Sequence, residues 1–524
     1  MIPRSLAPSL PRLLALLLSV LAVFVAWQVT ERVFEGIPHI EDEIAYVWQG
    51  QVMARGSLTL PTPPHPDSFL VPFVVDYDGQ RFGKYPPGWA VLLAIGIRLG
   101  VRGWLNPLLA GLAVWLTYRL GEKLFAESVG LLAAALTTTS PFFLMNSGTL
   151  LSHPFGLVLS IAFALAWLDL FPSTSPVGPF PANEGKKTPA SLLILIAGLC
   201  LGALALTRPL TALAVGLPFG LHGVYLLARG NDPTRRRVLT ISAISLAVGS
   251  VIFLWQYALS GNALLNPYTL WWSYDKVGFG PGYGVSKEGH HLRLAWVNTK
   301  FSLWVGWRDL FGWGGYSWIF LPFGLIAVVL RRRGRALLVG SVVVSLVVVY
   351  LAYWVSSWLF GPRYFYEGLH SLTLFSAAGI AWLAGWLRGE NQQSEAGRKH
   401  SGRMHLRPLA VMTLLAIFIV LDLRFYLPLR LGGMHGLYGI ERADFEPFLA
   451  AQAQNLSPAL IIVHTERWED YGGLLELETP FLDTPFIFAW SRGAKADAAL
   501  AADFPDRHIY HYDPQTPFVF YSPP

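Results

Sequence analysis

The sequence has 524 residues, 53% of them hydrophobic and 14% charged, with a mean hydropathy of +0.44, which excludes an ordinary water-soluble protein and points to lipid as the main solvent. A formal charge of +6 would suit a nucleic-acid partner only if Lys and Arg shared a soluble face, and they fall instead in short clusters between apolar runs. The single cysteine, Cys200, lies inside an apolar run, so an intramolecular disulfide is excluded and a Cys-based metal site has no ligand set.

Taken in chain order, Arg4, Arg12 and the run Leu13 to Trp27 resemble a signal peptide, but no small-residue cleavage site precedes Thr30. The run reads as a retained first span with a cytoplasmic N-terminus. Further apolar runs of about 18 to 22 residues, the length that crosses a bilayer core, predict spans near 104–120, 129–146, 153–171, 190–206, 209–228, 238–258, 316–330, 336–356, 366–387 and 408–427. The run from Trp89 to Val101 is about 13 residues long and contains Arg98, which suits an interfacial or re-entrant segment. If it does not cross, five basic clusters fall on the N-terminal side: Arg119 with Lys123, Lys186 with Lys187, Arg229 with Arg235 to Arg237, Arg331 to Arg335, and Arg388 through Arg407. The expectation is therefore an all-α polytopic protein of the plasma (inner) membrane with about eleven transmembrane helices in residues 1–428. Three segments face outward: a first loop at 31–103, a second at 261–315, and the tail at 429–524. Leu460 to His464 and Phe486 to Trp490 read as strands and Phe445 to Asn455 as a helix, which makes the tail a small extracytoplasmic α/β domain. Two polar low-complexity stretches, Pro172 to Pro189 and Glu390 to Arg403, read as cytoplasmic linkers.

The first outer loop carries three consecutive acids, Glu41, Asp42 and Glu43, at the start of a segment with helical periodicity. Ile44, Val47, Trp48 and Val52 form its apolar face, and the segment reads as an amphipathic helix lying in the membrane interface. Carboxylates in a first turn serve either as a helix cap or, beside aromatic groups that tune their basicity, as a base. The loop ends in Arg81-Phe-Gly-Lys-Tyr-Pro-Pro-Gly-Trp89, where Lys84 suits either interfacial snorkelling or a phosphate. Trp271, Trp272, Tyr274, Trp304 and Trp307 read as an interfacial aromatic belt rather than sugar platforms.

An Asp-Glu-x-x-Tyr helix after the first span, a long outer loop closing on Lys-Tyr-Pro-Pro-Gly-Trp, many spans and an external tail resemble the GT-C glycosyltransferases. These include protein O-mannosyltransferases, the lipid A aminoarabinose transferase and the bacterial glycosyltransferase 39-like branch. The resemblance implies transfer of a sugar from a polyprenyl-phosphate donor to a lipid, glycan or protein acceptor on the outer side, with inversion and with no nucleic-acid partner. It implies Asp42 as base, with Glu43 binding metal or capping the helix, and Lys84, Arg208 and Arg363 as donor phosphate ligands, the two arginines being the better fit to phosphate geometry. Tyr46, Tyr85, His153, His290, His291 and Tyr364 complete the expected substrate pocket. Leu151-Ser-His-Pro-Phe155 departs from the aminoarabinose transferase branch, which has Asp where this chain has His153. A divalent metal is open: His153, His290 and His291 are the available imidazoles, without a His-x-x-x-His or His-Glu-x-x-His spacing. The rival classes are a transporter, which predicts ionisable residues inside the spans and two repeated halves, and a non-catalytic subunit of a cell-envelope polysaccharide assembly system. The sugar and the acceptor leave no mark in the spacing.

Overall fold

The structure, a computed structural model, describes residues 9–172, 188–387 and 406–522. The two predicted polar linkers lie almost wholly outside these residues, as do Lys186, Lys187 and most of the cluster from Arg388 to Arg407. In chain order come α1 (Leu10–Arg32), α2 (Glu41–Ala54), β1 (Leu60–Pro61), β2 (Val74–Tyr77), β3 (Gln80–Gly83), α3 (Pro87–Arg98), α4 (Leu105–Leu124), α5 (Glu127–Thr138), α6 (Pro141–Gly148), α7 (His153–Leu170), α8 (Ala190–Thr207) and α9 (Pro209–Arg229). There follow α10 (Asp232–Gly249), α11 (Val251–Ser260), α12 (Tyr268–Trp271), α13 (Leu292–Asp309), α14 (Leu321–Leu330), α15 (Gly334–Tyr350), a 3-10 turn Arg363–Gly368, α16 (Leu369–Leu383), α17 (Leu406–Leu421) and α18 (Leu427–Gly432).

Small residues let the helices cross closely. In α1, Ala15, Ser19, Ala22 and Ala26 recur every three or four residues and are buried, while Leu13, Leu16, Leu17 and Phe24 stand exposed. The stripe meets α4 at Gly111, where an added Cβ would lie 2.8 Å from the Ser19 carbonyl oxygen. Gly198 and Gly202 of α8 make the same kind of seam against Ile244 and Val248 of α10. Hydroxyls that would be stranded in lipid return to the carbonyl four residues back, as at Thr30, Thr137, Thr138 and Thr207.

By length and composition, six runs among the described residues can cross a membrane: α1, α7, α8, α9, the run Asp232–Ser260 and the run that begins at Leu406. The pair α5 and α6, bent by 59°, makes a possible seventh. The predicted spans at 104–120, 316–330, 336–356 and 366–387 are helical but outside that set, because α4 carries Asn106, Arg119 and Glu122 and α14, α15 and α16 have only 10, 17 and 15 residues. Arg12 bonds Glu122 at 2.6 Å and Lys123 pairs with Asp169, while Arg237, Arg333 and Arg335 donate to the terminal carbonyls of Leu170, Leu124 and Leu168. The basic clusters thus gather at one end of the bundle, where they satisfy the last turns of α4 and α7.

At the other end, β1, β3 and β2 form a three-stranded antiparallel sheet in the first loop. The tail forms a four-stranded sheet from β4 (Ala459–Val463), β5 (Phe486–Trp490), β6 (His508–Tyr512) and β7 (Phe520–Tyr521), in the order β5-β4-β6-β7, with β4 parallel to β5 and β6. Both predicted strands are present within a residue, whereas the predicted helix at 445–455 is broken into short turns at Glu446–Leu449 and Ala451–Gln454. One nine-residue helix, α19 (Ala494–Ala502), covers the sheet.

Helix α4 also crosses α5 closely: a Cβ on Gly130 would stand 2.5 Å from the Tyr118 carbonyl oxygen. Gly130→Val is expected to force the helices apart at a cost of roughly 1–3 kcal/mol or more and to lower the unfolding temperature in detergent. Gly220→Ala, with no atom within 4 Å of the new Cβ, is expected to leave it unchanged or raised.

Candidate active site

The first turn of α2 holds all three acids, where the helix dipole favours them, and the capping position Ile40 offers no side-chain acceptor of its own. Glu43 takes over that task. Its Oε2 accepts the His39 amide at 3.0 Å and its Oε1 accepts the Leu150 amide at 2.7 Å, so one carboxyl caps α2 and ties it to the connection between α6 and α7. It is 1% exposed, and burial pushes its carboxyl up to about 7 against the pull of these backbone bonds.

Asp42 points elsewhere. Its side chain is 25% exposed, Oδ1 accepts the Tyr85 hydroxyl at 2.7 Å, and Oδ2 lies 3.5 Å from Nη2 of Arg363. Burial pushes this carboxyl up, but the Arg363 cation, the Tyr85 hydrogen bond and the charges of Lys84 and Arg208 outweigh it and hold it below the usual carboxylate range. Tyr46, one turn along α2, stacks on Tyr85 with centroids 4.4 Å apart and brings its hydroxyl 3.3 Å from that of Ser152.

The interface-lying role expected for α2 is corrected here. Its predicted lipid-facing residues Ile44, Val47, Trp48 and Val52 are buried, three of them in a cluster with Val71, Val74, Trp468 and Leu475. The helix has protein on both sides because the tail packs over the first loop, which no periodicity within α2 can reveal.

Two further cations each have a carboxylate of their own. Lys84 is 3% exposed, its ammonium 3.6 Å from the ring centre of Phe73 and 5.0 Å from those of Tyr268 and Trp272, and it pairs with Asp275 at 3.3 Å. Burial lowers its pKa below the ordinary lysine value, with Asp275 opposing the shift. Asp275 also accepts Tyr353 at 3.0 Å and Trp354 at 3.2 Å. Arg208, between α8 and α9, lies 3.1 Å from Glu367 and donates to His153 at 3.3 Å and Tyr350 at 3.2 Å. His153 sits 3.4 Å from Glu367 on its other ring nitrogen. Tyr364 stacks on Tyr350, and its ring centre lies 5.8 Å from the Arg363 guanidinium and 5.9 Å from that of Arg208.

Asp42, Tyr46, Lys84, Tyr85, His153, Arg208, Arg363 and Tyr364 therefore form one connected cluster. His290 and His291 share no hydrogen bond or ion pair with it: His290 meets the Leu351 carbonyl at 2.9 Å, and His291 accepts the Leu294 amide to cap α13. Sequence reasoning missed Asp275 and Glu367. Asp275 sits in a run of aromatics assigned to the interfacial belt, and Glu367 hides at the start of an apolar run, so only a buried acid opposite a buried cation could have signalled either. Among the described residues no three His, Cys, Asp or Glu side chains converge as a metal site, and Glu43, with both oxygens on amides, does not fit as a ligand beside Asp42.

Pro362 and Phe365, which flank Arg363 in the chain, join Phe142, Leu303, Trp318 and Val347 in lining an apolar cavity of about 240 Å³. The cluster thus offers one partly exposed carboxylate, three cations each paired with an acid, and an apolar slot lined by the neighbours of Arg363.

No protein-family model and no curated protein matches this sequence. Among solved structures, the chain is similar to ArnT from Cupriavidus metallidurans bound to undecaprenyl phosphate, at 15% identity over 96% of this chain and 90% of that one, with a TM-score of 0.54. It is also similar to the archaeal oligosaccharyltransferase AglB from Archaeoglobus fulgidus in complex with an inhibitory peptide and a dolichol-phosphate, at 13% identity over 89% of this chain, with a TM-score of 0.51. This chain spans 64% of the length of that oligosaccharyltransferase. An oligosaccharyltransferase structure from the same archaeon holds Zn and sulfate, at 13% identity over 88% of this chain and 62% of that one, with a TM-score of 0.50. The shared architecture is the GT-C fold of integral membrane proteins.

The adjacent acids are expected to fail differently. Glu43→Ala strands the amides of His39 and Leu150 and should cost roughly 1–3 kcal/mol for each, seen as a lower unfolding temperature. Asp42→Asn keeps the size and one acceptor and should melt within a few degrees of the parent.

Proposed function

We propose that the protein is a membrane glycosyltransferase that takes a sugar from a polyprenyl-phosphate carrier and passes it, with inversion, to an acceptor on the extracytoplasmic side. The observation that carries this is the Asp42–Arg363 pair. Of the three carboxylate–cation pairs, it alone has an appreciably exposed carboxylate, at 25% against 2% for Asp275 and 0% for Glu367. Nη1 of Arg363 is buried without a hydrogen-bond partner. The adjacent apolar cavity suits the first isoprene units of a carrier, and the neighbouring structures with bound undecaprenyl phosphate and dolichol-phosphate support that donor class.

In this reading the acceptor nucleophile attacks the anomeric carbon while Asp42 takes its proton. The bond from that carbon to the phosphate oxygen breaks, and the electron pair leaves with the carrier phosphate. Arg363, Arg208 and Lys84 neutralise the charge that develops on the departing oxygen, in a partly dehydrated site where fixed cations act strongly. Donor binding then has a second effect: as Arg363 turns toward phosphate it loosens its hold on Asp42, whose carboxyl rises toward the usual range and becomes a better base. No step runs through a metal ion.

The orientation belongs to the same proposal. About eleven crossings put the basic end of the bundle in the cytoplasm and the Asp42 cluster, the second loop and the tail outside, in the plasma (inner) membrane. A topology reporter fused after Arg333 should report the cytoplasm.

Purified protein given a panel of polyprenyl-phosphate sugars is expected to release carrier phosphate with at least one of them, and Asp42→Asn to lose about 10² to 10⁴ of that rate. A variant that keeps full activity would instead favour a non-catalytic loop. Because the folded pKa of Asp42 is depressed, its ionised form persists as pH falls until that lowered value is passed. The acid limb of kcat/KM should lie below the usual carboxylate range, and Arg363→Ala should move it upward.

A further inference from the structure

Helix α2 has two working faces. Asp42 and Tyr46 look toward Arg363 and Ser152, while Ile44, Trp48 and Val52 are buried with Trp468 and Leu475 of the tail. The grip extends past both ends of the helix. Before it, Arg102 bonds both oxygens of Glu476 at 2.6 and 3.1 Å and uses the same guanidinium to hold the Gly36 carbonyl at 2.9 Å. Ile37 is buried in a cluster with Ile440, Phe445 and Ile461, and Glu35 accepts the Arg442 amide. After it, Arg55 pairs with Asp483. Farther along the loop, Phe69 is buried among Leu460, Ile462, Ile487 and Leu500, and the Ser68 carbonyl accepts the Trp490 amide at 2.7 Å. The first loop thus shares its core with the tail.

We propose that the C-terminal unit is a positioning element for Asp42. It clamps α2 in the register that aims the carboxylate at the donor, with Arg102 and Glu476 as the closing pair. The inference rests on the assignment of Asp42 as base. A helix of 14 residues is marginal by itself and takes its order from what packs on it. Helix α3 supports one side, where Gly50 meets Leu93 and Ile97, and Glu43 ties down the first turn. The remaining side is covered by β2 and its lead-in together with the tail. Since a displacement of about 1 Å at a reacting group can cost around 10²-fold in rate, a clamp on this face acts on turnover rather than on donor affinity. Arg102 and Glu476 touch neither the cation cluster nor the apolar cavity, so their part is positional.

The test compares the full-length chain in detergent or nanodiscs with Arg102→Ala, Arg102→Lys and Glu476→Gln, by hydrogen exchange and by kinetics. Amides 44–52 should exchange about tenfold faster in Arg102→Ala, with an intermediate value in Arg102→Lys, while α7 and α16 stay as protected as in the parent. In the same variant kcat should fall about tenfold with the donor KM within about twofold. Should Arg102→Ala lose protection throughout, the milder Glu476→Gln gives the reading. Unchanged exchange in α2 after the Glu476 segment has been released overturns the clamp, and so does faster exchange with unchanged kcat. If the parent transfers sugar from no donor, that failure belongs to the proposed function, and the exchange comparison still decides whether the tail orders α2.

Discussion

The Asp42–Arg363 ion pair is the contact on which the site's design turns. Charges at the edge of a bilayer are costly unless paired, and here three cations enter a cramped, aromatic-walled space, each with its own acid. Two of the acids, Asp275 and Glu367, are sealed, so they act as fixed counter-charges that keep Lys84 and Arg208 in place. Asp42 is the one left partly open, held by Arg363 at 3.5 Å and by Tyr85 at 2.7 Å. A site balanced in this way holds its cations without burying bare positive charge. On the proposed function it gains a new anion by exchanging partners, and the partner released is the carboxylate assigned there as base.

The fold delivers these groups from distant parts of the chain by separating two kinds of work. Close helix crossings at Gly111, Gly130, Gly198 and Gly202 build a bundle with Arg237, Arg333 and Arg335 gathered at one end. The opposite end is left to loops: α2 supplies Asp42, the turn after Pro362 supplies Arg363, the break between α8 and α9 supplies Arg208, and the second loop supplies Asp275. Glu43 is the hinge between the two levels, because it caps a loop helix with one oxygen and holds the Leu150 amide between α6 and α7 with the other.

Much of this was legible from residues alone. Hydropathy located the apolar helices, and the resemblance, carried by the first loop and by short motifs at Arg208 and Arg363, singled out Asp42, Lys84, Tyr85, Arg208, Arg363 and Tyr364, all of which the structure brings together. What stayed hidden depends on long-range pairing. The stripe Ile44, Trp48 and Val52 looks the same in sequence whether lipid or protein covers it, and only the packing of Trp468 and Leu475 decides. Asp275 and Glu367 are single acids in apolar surroundings, and their meaning comes from cations far away in the chain. His290 and His291 misled in the opposite sense: a His pair in a glycine-rich loop suggests ligation, yet one meets a carbonyl and the other caps a helix. Of the eleven expected spans, six runs, or seven with the bent α5–α6 pair, pass by length and composition; α4 falls outside because it carries Arg119, Glu122 and a buried Asn106 whose amide donates to the carbonyls of Thr149 and Leu151.

The central claim is that Arg363 changes partners, from the Asp42 carboxylate to a carrier phosphate. The direct measurement is an experimental structure of the protein with a polyprenyl phosphate bound. The account predicts the phosphate within hydrogen-bonding reach of the Arg363 guanidinium, its isoprene chain entering the cavity lined by Phe142, Phe365 and Val347, and Asp42 facing the phosphate's far side. A phosphate held at another surface, with Arg363 still on Asp42, would contradict it.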